Sequence, residues 1–543
     1  MNKSAFFLSI ILILFVSCQP KSTTVTDEDN SRPNILFIIA DDISRTSMGA
    51  YGCNYIKTPN FDRIANEGVL FTNAYVTNPK CAPARASLLT GRYSWQLEEA
   101  ANHQPVVPPK WKFYPDLLEA SGYNIGFTGK GWGPGKYYGE HNPAGWEYNE
   151  IKLEPPYSGI SDKDYVANFD SFLDKNTEAK PFCFWFGTHE AHRSFEKDSY
   201  KKVNADLSKV EVPEFYPDNE LIRGDLADYG IEVEYHDMLI GKALESLETR
   251  GLLDNTLVVV TSDHGMPFPR IKGQIYEEGF HVAFAARWKD KIKAGRVVTD
   301  YINFPDVAPT FLEVAGVEKD AQITGKSFLD VLLSEELGRI DTSRNFAVLG
   351  KERHDLGRMD GDQHSVGYPA RAIRTDKYFY VHNYKPNRWP AGDPEFNYMN
   401  CDGSPTKTYL TELGENSIDY EYYLSAFGKR PADALYDINK DPDCVNNLAD
   451  LPEYKDIVDE LSARMIKVLT EQKDPRVLGN GDVFDFYPHR DDPRIQKLYK
   501  DKYVISLHAK EGSSYCIYNF RNSHFNGFCN PIFIQISNTR TRL

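Results

Sequence analysis

Asn34-Ile35-Leu36-Phe37-Ile38-Ile39-Ala40 runs directly into Asp41-Asp42. An apolar run with no polar alternate reads as a strand buried on both faces, typical of a sheet covered by helices. Two adjacent carboxylates at its end repel each other unless a cation lies between them. The pattern repeats along the chain. Leu257-Val258-Val259-Val260-Thr261-Ser262 ends in Asp263-His264-Gly265, and Phe182-Cys183-Phe184-Trp185-Phe186 ends in Gly187-Thr188-His189-Glu190-Ala191-His192-Arg193. Asn124-Ile125-Gly126-Phe127-Thr128 is followed by Gly129-Lys130-Gly131. Ligands of open α/β sheets bind at the carboxyl ends of the strands, so these four endings predict one shared site.

Between the strands, Tyr235, Met238, Leu239, Ala243 and Leu247 recur at near-helical spacing, with Gly251 as a stop. They predict a core-facing helix stripe and carry no functional claim. Alternating strands and helices predict a doubly wound α/β domain. Beyond about Gly338 the texture changes to short strand-like runs such as Tyr378-Phe379-Tyr380-Val381, then a helical run near Tyr454 to Leu469. This predicts a smaller α+β lobe. The expected organisation is 1–18 signal peptide, 19–32 polar linker, 33–340 catalytic domain, 341–480 C-terminal subdomain and 481–543 extension.

A chain of 543 residues exceeds one ordinary core, and its 13% aromatic content excludes general disorder. The net charge of −16 argues against nucleic acid as a partner and requires a locally basic pocket for any polyanion. Eight cysteines at this length do not make a disulfide framework; Cys516 and Cys529 could pair in an oxidising compartment. Lys3 and the apolar run Phe6 to Val16 read as an export signal ending in Ser17-Cys18. That ending resembles a bacterial lipoprotein cleavage site. It implies lipidation of Cys18 and a membrane-anchored protein facing the periplasm or cell surface; ordinary secretion is the alternative.

The segment Cys81-Ala82-Pro83-Ala84-Arg85, continuing into Ala86-Ser87-Leu88-Leu89-Thr90-Gly91-Arg92, holds the most specific chemistry. Pro83 suits a first helical turn, where its missing N–H has no intrahelical partner. A side chain at such a helix start faces unpaired N–H groups, and Arg85 adds a fork suited to a tetrahedral oxyanion. The residues alone allow a nucleophile beside a sulfate or phosphate cradle, or a buried helix start with a structural cysteine.

Cys81-x-Pro83-x-Arg85 with its continuation resembles the signature of the type I, formylglycine-dependent sulfatases. Thr58 to Arg63 and Gly68 to Ala74 resemble that family's approach to the modified cysteine. Gly129-Lys130, Ser262-Asp263-His264-Gly265, and Lys272 with Tyr276-Glu277-Glu278-Gly279 resemble its later motifs. Leu435-Tyr436-Asp437 with Asn447-Leu448-Ala449 resembles its C-terminal subdomain. His189-x-x-His192-Arg193, Ser262 to Pro269 and Tyr368 to Arg374 point to the heparan N-sulfatase (N-sulfoglucosamine sulfohydrolase)-like branch, whose bacterial relatives are also associated with O-sulfated algal polysaccharides.

The resemblance implies an alkaline-phosphatase-like fold and hydrolysis of sulfate from sulfated saccharides, with ulvan or carrageenan favoured over glycosaminoglycans. Ca²⁺ would be held by Asp41, Asp42, Asp263, His264 and the modified residue 81, made into formylglycine by a dedicated maturase. Arg85, Lys130 and Lys272 would neutralise sulfate oxygens, and His189 or His192 would move the proton. Trp132 stands where a histidine is frequent and is assigned to stacking on a sugar, His281 where an arginine is common, and Ala84 where a serine is frequent. The cluster Arg353, His354, Asp355 and Arg358 either recognises sugar or forms a solvated loop. Two other readings stay open: a two-zinc phosphatase of the related superfamily, and a sulfated-glycan-binding lipoprotein whose cysteine is never converted. Oligomeric state is not specified by the sequence.

Overall fold

The computed structural model describes residues 32–360 and 363–490. The signal segment with Cys18, nearly all of the linker, and Cys516 and Cys529 therefore lie outside the described residues. None of the described helices is long and apolar enough to cross a membrane.

In chain order the strands that matter are β1 (Asn34–Ala40), β2 (Val69–Tyr75), β3 (Asn124–Gly129), β4 (Phe182–Gly187), β5 (Thr256–Ser262), β6 (Phe284–Arg287) and β7 (Arg296–Asn303). With the short pieces Trp146–Glu147 and His281–Val282 they make a nine-stranded sheet, in spatial order β7-β2-β6-β5-β1-β4-β3 and then Trp146–Glu147. β1 pairs in parallel with both β4 and β5, and β3 pairs in parallel with β4. β6 is antiparallel to both its neighbours. Ile35, Phe37 and Ile39 enter one apolar core, and Leu36, Ile38 and Ala40 enter the other. This alternation explains why β1 shows no polar position: each face of the sheet has its own layer to fill.

The covering helices include α1 (Pro59–Glu67), α2 (Cys81–Thr90), α3 (Tyr165–Lys175), α4 (Glu220–Thr249) and α5 (Val307–Val314). On α4, Leu239, Ala243 and Leu247 are buried as the stripe predicts, and Tyr235 packs partly buried against the same core. Met238 is exposed and leaves the stripe. All ten residues of α2 are buried, which places its first residue deep in the protein.

The second sheet is antiparallel: β8 (Phe346–Lys351), β9 (Ala370–Thr375), β10 (Tyr378–Asn383) and β11 (Asp433–Asp437), in that order. Helix α6 (Lys455–Glu471) packs on it through Leu461, Met465 and Leu469, beside Ile373, Tyr380 and Leu435.

Candidate active site

Backbone hydrogen bonds lace the four strand ends together. Thr188 N donates to Ile39 O (3.1 Å), Lys130 N to Gly187 O (2.7 Å) and Asp263 N to Ala40 O (3.2 Å). Gly129 takes a left-handed turn (φ 72°), and a Cβ there would lie 1.9 Å from the Gly187 carbonyl oxygen. Only glycine lets β3 finish so close to β4 and aim Lys130 across the strand ends.

Cys81 opens α2 and points at these ends. Its Sγ is 3.2 Å from His264 Nε2 and 3.9 Å from Asp42 Oδ1. His264 Nδ1 sits 3.0 Å from the Gly265 carbonyl, which can only accept, so Nδ1 carries a proton, and Nε2 lies 3.2 Å from both Cys81 Sγ and Asp42 Oδ1. Lys130 Nζ lies 2.5 Å from Asp41 Oδ2, and Lys272 Nζ 2.5 Å from Asp42 Oδ2. Arg85 Nε donates to Asp263 Oδ2 at 2.8 Å, and its Nη1 donates to the Lys130 and Gly131 carbonyls. Arg85 Nη2 and Asp41 Oδ1 face each other at 3.6 Å, and neither has a hydrogen-bond partner.

Burial alone would push the Asp41 carboxyl up; the Lys130, His192 and Arg85 charges overcome it and hold the group well below the usual range. Burial likewise works against the Lys130 and Lys272 ammonium groups, yet the facing carboxylates keep both above the ordinary lysine value. The Cys81 thiol is pushed well up, chiefly by burial. An unmodified Cys81 is therefore a protonated thiol and a poor nucleophile.

The two histidines differ. His189 is pushed down to about 3 by burial and then by the Lys130 charge, so it is neutral near pH 7, and its buried Nε2 has no hydrogen-bond partner. His192 Nδ1 is 2.7 Å from the Arg193 carbonyl, which fixes the proton on Nδ1 and turns Nε2 toward Asp42, 4.0 Å away. Arg193 in turn grips Asp225 of α4 with two parallel hydrogen bonds of 2.8 and 2.9 Å and so anchors the His192 loop.

Two carboxylates, a thiol and an imidazole converge where a cation could be held. Asp41, Asp42, Cys81 and His264 each offer one ligand atom, all within 4.8 Å of one another, and Asp41 Oδ1 is among the buried atoms without a partner. Asp263 adjoins this set: Oδ2 accepts from Arg85 Nε, Oδ1 accepts from Asp42 N and lies 3.6 Å from His264 Nε2, and each oxygen keeps a further lone pair.

Several assigned substrate contacts prove to be scaffold. Trp132 is buried in the apolar core, so it presents no open face for a sugar to stack on. Arg353 donates to the carbonyls of Asp485 and Tyr487, and Arg358 to those of Trp389, Val366 and Pro390 and to the Asn400 side chain. Guanidinium groups spent in this way are neither sugar ligands nor a solvated loop. His354 Nε2 donates to Asn78 Oδ1 at 2.8 Å, and Asp355 receives His103 Nδ1 at 2.8 Å and faces Lys80 at 3.3 Å, all buried. His281, in the place of the expected arginine, stacks on Tyr75 and lies 3.0 Å from Glu277, a structural role.

One residue of the site carries no sequence signal. Asp402, from the turn before a short C-terminal helix, brings Oδ2 to 2.8 Å from Lys272 Nζ. The short Asp402-Gly403-Ser404 stretch reads as an ordinary turn.

The sulfatase family model matches residues 33–317, which include the four strand ends and the helix that Cys81 opens. The chain belongs to the sulfatase family and is an enzyme of that class. A second model, N-sulphoglucosamine sulphohydrolase, C-terminal, matches residues 270–395. The chain is 28% identical to an ulvan-active sulfatase of Formosa agariphila, over 92% of this chain and 98% of that protein. It is 29% identical to human N-sulphoglucosamine sulphohydrolase, over 87% and 96%. Among solved structures it shares the fold of BT4656 in complex with its substrate D-glucosamine-2-N,6-O-disulfate, with a TM-score of 0.58, 23% identity and coverage of 82% and 99%.

Proposed function

We propose that this sulfatase is exported, carries formylglycine made from Cys81, depends on Ca²⁺ and hydrolyses sulfate esters on saccharides cut from sulfated polysaccharides, ulvan foremost. The observation that carries the reading is the setting of Cys81: a thiol too deeply buried to ionise, at a helix start, facing one metal-ligand set and three cations. The relative named for ulvan supports the substrate class. A sulfamidase acting on N-sulfated glucosamine is the second reading, favoured by the C-terminal model and the human relative. Export and a lipid anchor on Cys18 rest on the N-terminal sequence alone, and conversion of Cys81 requires a formylglycine-generating maturase as partner.

Formylglycine would supply a hydrated aldehyde oxygen as nucleophile. Ca²⁺, which Asp41, Asp42, Asp263, His264 and residue 81 would hold, would supply positive charge next to it. The protein's own residues do the rest. Arg85, Lys130 and Lys272 surround the place where sulfate oxygens gather negative charge, and their preset positions cost no reorganisation during reaction. His192, with Nδ1 pinned and Nε2 directed inward, carries a second proton on Nε2 to the leaving oxygen or nitrogen. His189, neutral and half-buried with Nε2 unpartnered, offers a hydrogen-bonding nitrogen rather than a charged acid.

The test is mass spectrometry of the tryptic peptide containing residue 81 after co-expression with a maturase, together with sulfate release from ulvan oligosaccharides. We expect the formylglycine mass and a loss of release beyond about 10⁴-fold in Cys81→Ala. An unmodified thiol, with the maturase working on a control peptide, overturns the reading; so does undiminished turnover by Cys81→Ala.

A further inference from the structure

Asp402 is the one carboxylate of the cluster that reaches the surface. Asp41, Asp42 and Asp263 are at most 1% exposed, whereas the Asp402 side chain is 26% exposed. Its Oδ2 pairs with Lys272 Nζ at 2.8 Å. Asp402, Asp42 and His192 bring ligand atoms within 4.8 Å of one another, so Asp402 stands beside the inward nitrogen of His192. Lys272 Nζ pairs with both carboxylates of that trio.

The turn that presents Asp402 is fixed from several sides. Arg358 holds the Asn400 side chain, and Lys407 Nζ donates to the Tyr398 and Cys401 carbonyls at 3.2 and 2.8 Å. Ser404 Oγ caps the following helix by accepting from Lys407 N. Thr406 Oγ1 donates at 2.6 Å to Asp225, the residue that also anchors the His192 loop through Arg193. One buried carboxylate thus ties the Asp402 turn to the His192 loop. So much buried bonding spent on a half-open turn positions a carboxylate, and carboxylates accept hydrogen bonds and repel anions.

The geometry points to Asp402 as a specificity-determining residue that accepts a hydrogen bond from the hydroxyl next to the sulfated position and rejects a second sulfate or carboxylate there. The substrate class is then a saccharide whose scissile sulfate has a free vicinal hydroxyl. Lys272 links the two tasks, one ammonium bridging the inner Asp42 and the outer Asp402. Burial pushes the Asp402 carboxyl up, and the Lys272, Lys80 and His192 charges overcome it, so it stays an anionic acceptor. This inference rests on the sulfatase reading above.

The experiment compares the matured full-length enzyme with Asp402→Asn, both first shown to melt cooperatively. The probes are monosulfated methyl rhamnosides and methyl glucosaminides, each matched with its vicinal deoxy and its vicinal disulfated counterpart. For the preferred monosulfated probe, Asp402→Asn should lower kcat/KM by about 10–100-fold, the worth of a hydrogen bond to a charged group. The deoxy probe should change by less than about 3-fold, and the disulfated probe should improve, because the variant no longer repels it. An equal loss on all three probes would mean that Asp402 acts only through Lys272, and would overturn the assignment while leaving the sulfatase reading intact. No sulfate release by the wild-type enzyme from any probe would overturn that reading and this inference with it.

Discussion

Two buried ionic networks lie in this molecule, and they are built to opposite specifications. Beside the second sheet, Arg371 grips Asp474 with Nε at 2.7 Å and Nη2 at 2.9 Å, and reaches Glu352 at 2.8 Å; Arg476 closes on Glu352 at 2.6 Å. Two cations face two carboxylates, and none of their buried side-chain atoms lacks a hydrogen-bond partner. At the strand ends of the first sheet, Asp41 Oδ1, Arg85 Nη2 and His189 Nε2 are all without one. Orphaned buried polar atoms are costly, so a fold keeps them together only where something else completes them. The closed network is architecture, and the open one leaves polar atoms free for the ions of the proposed reaction.

Arg371→Leu tests the closed side and should show the largest effect on stability. It strands Asp474 and half of Glu352 in the interior, so the unfolding free energy should fall by about 3–5 kcal/mol. Urea denaturation measures this, and kcat/KM per folded molecule should stay near wild type. A variant that is fully stable but inactive would reverse the comparison. Lys130→Ala tests the open side. It removes one of the charges around the sulfate position, and kcat/KM should fall by about 10²–10³-fold. Its stability loss should be smaller than that of Arg371→Leu, because Asp41 keeps Arg85 at 3.6 Å. Kinetics and the same denaturation experiment decide it.

The open network was legible in the sequence wherever a strand ran into it. β1, β3, β4 and β5 announce themselves as apolar runs, and the residues that follow each run meet in space because the four strands are parallel. α2 was legible through Cys81-x-Pro83-x-Arg85. What could not be read was the destination of charge outside those strand ends. Arg353 and Arg358 belong to a charged stretch that looks wet, yet both are buried because backbone carbonyls from distant segments converge on them. Trp132 suggested a sugar platform, but the core encloses it. Asp402 arrives from 130 residues beyond Lys272 (402 − 272) on a turn without local pattern, and only the tertiary fold brings it to that ammonium. Periodicity reports which face of an element is buried; it carries no information about which polar partners wait there.

Glu232 lies between the two specifications, and the smallest predicted effect decides where it belongs. It sits on α4, 3% exposed, with Oε2 unpartnered. Burial first, then the neighbouring Glu190 and Asp228 charges, push its carboxyl up to about 8. The folded protein therefore holds this proton more tightly than the unfolded chain, whose glutamates titrate near pH 4.3. The stability this contributes is complete below that pH and is lost progressively as pH rises toward and through 8. Glu232→Gln keeps the shape and removes the titration. Thermal melts from pH 5 to 9 should show the variant gaining on the wild type as pH rises, with most of the gain complete by pH 8. If the two curves run parallel, Glu232 keeps one charge state in both folded and unfolded protein. An unpartnered buried atom would then mark neither strain nor a site at this position, and the distinction between closed and open networks would hold only where several such atoms converge.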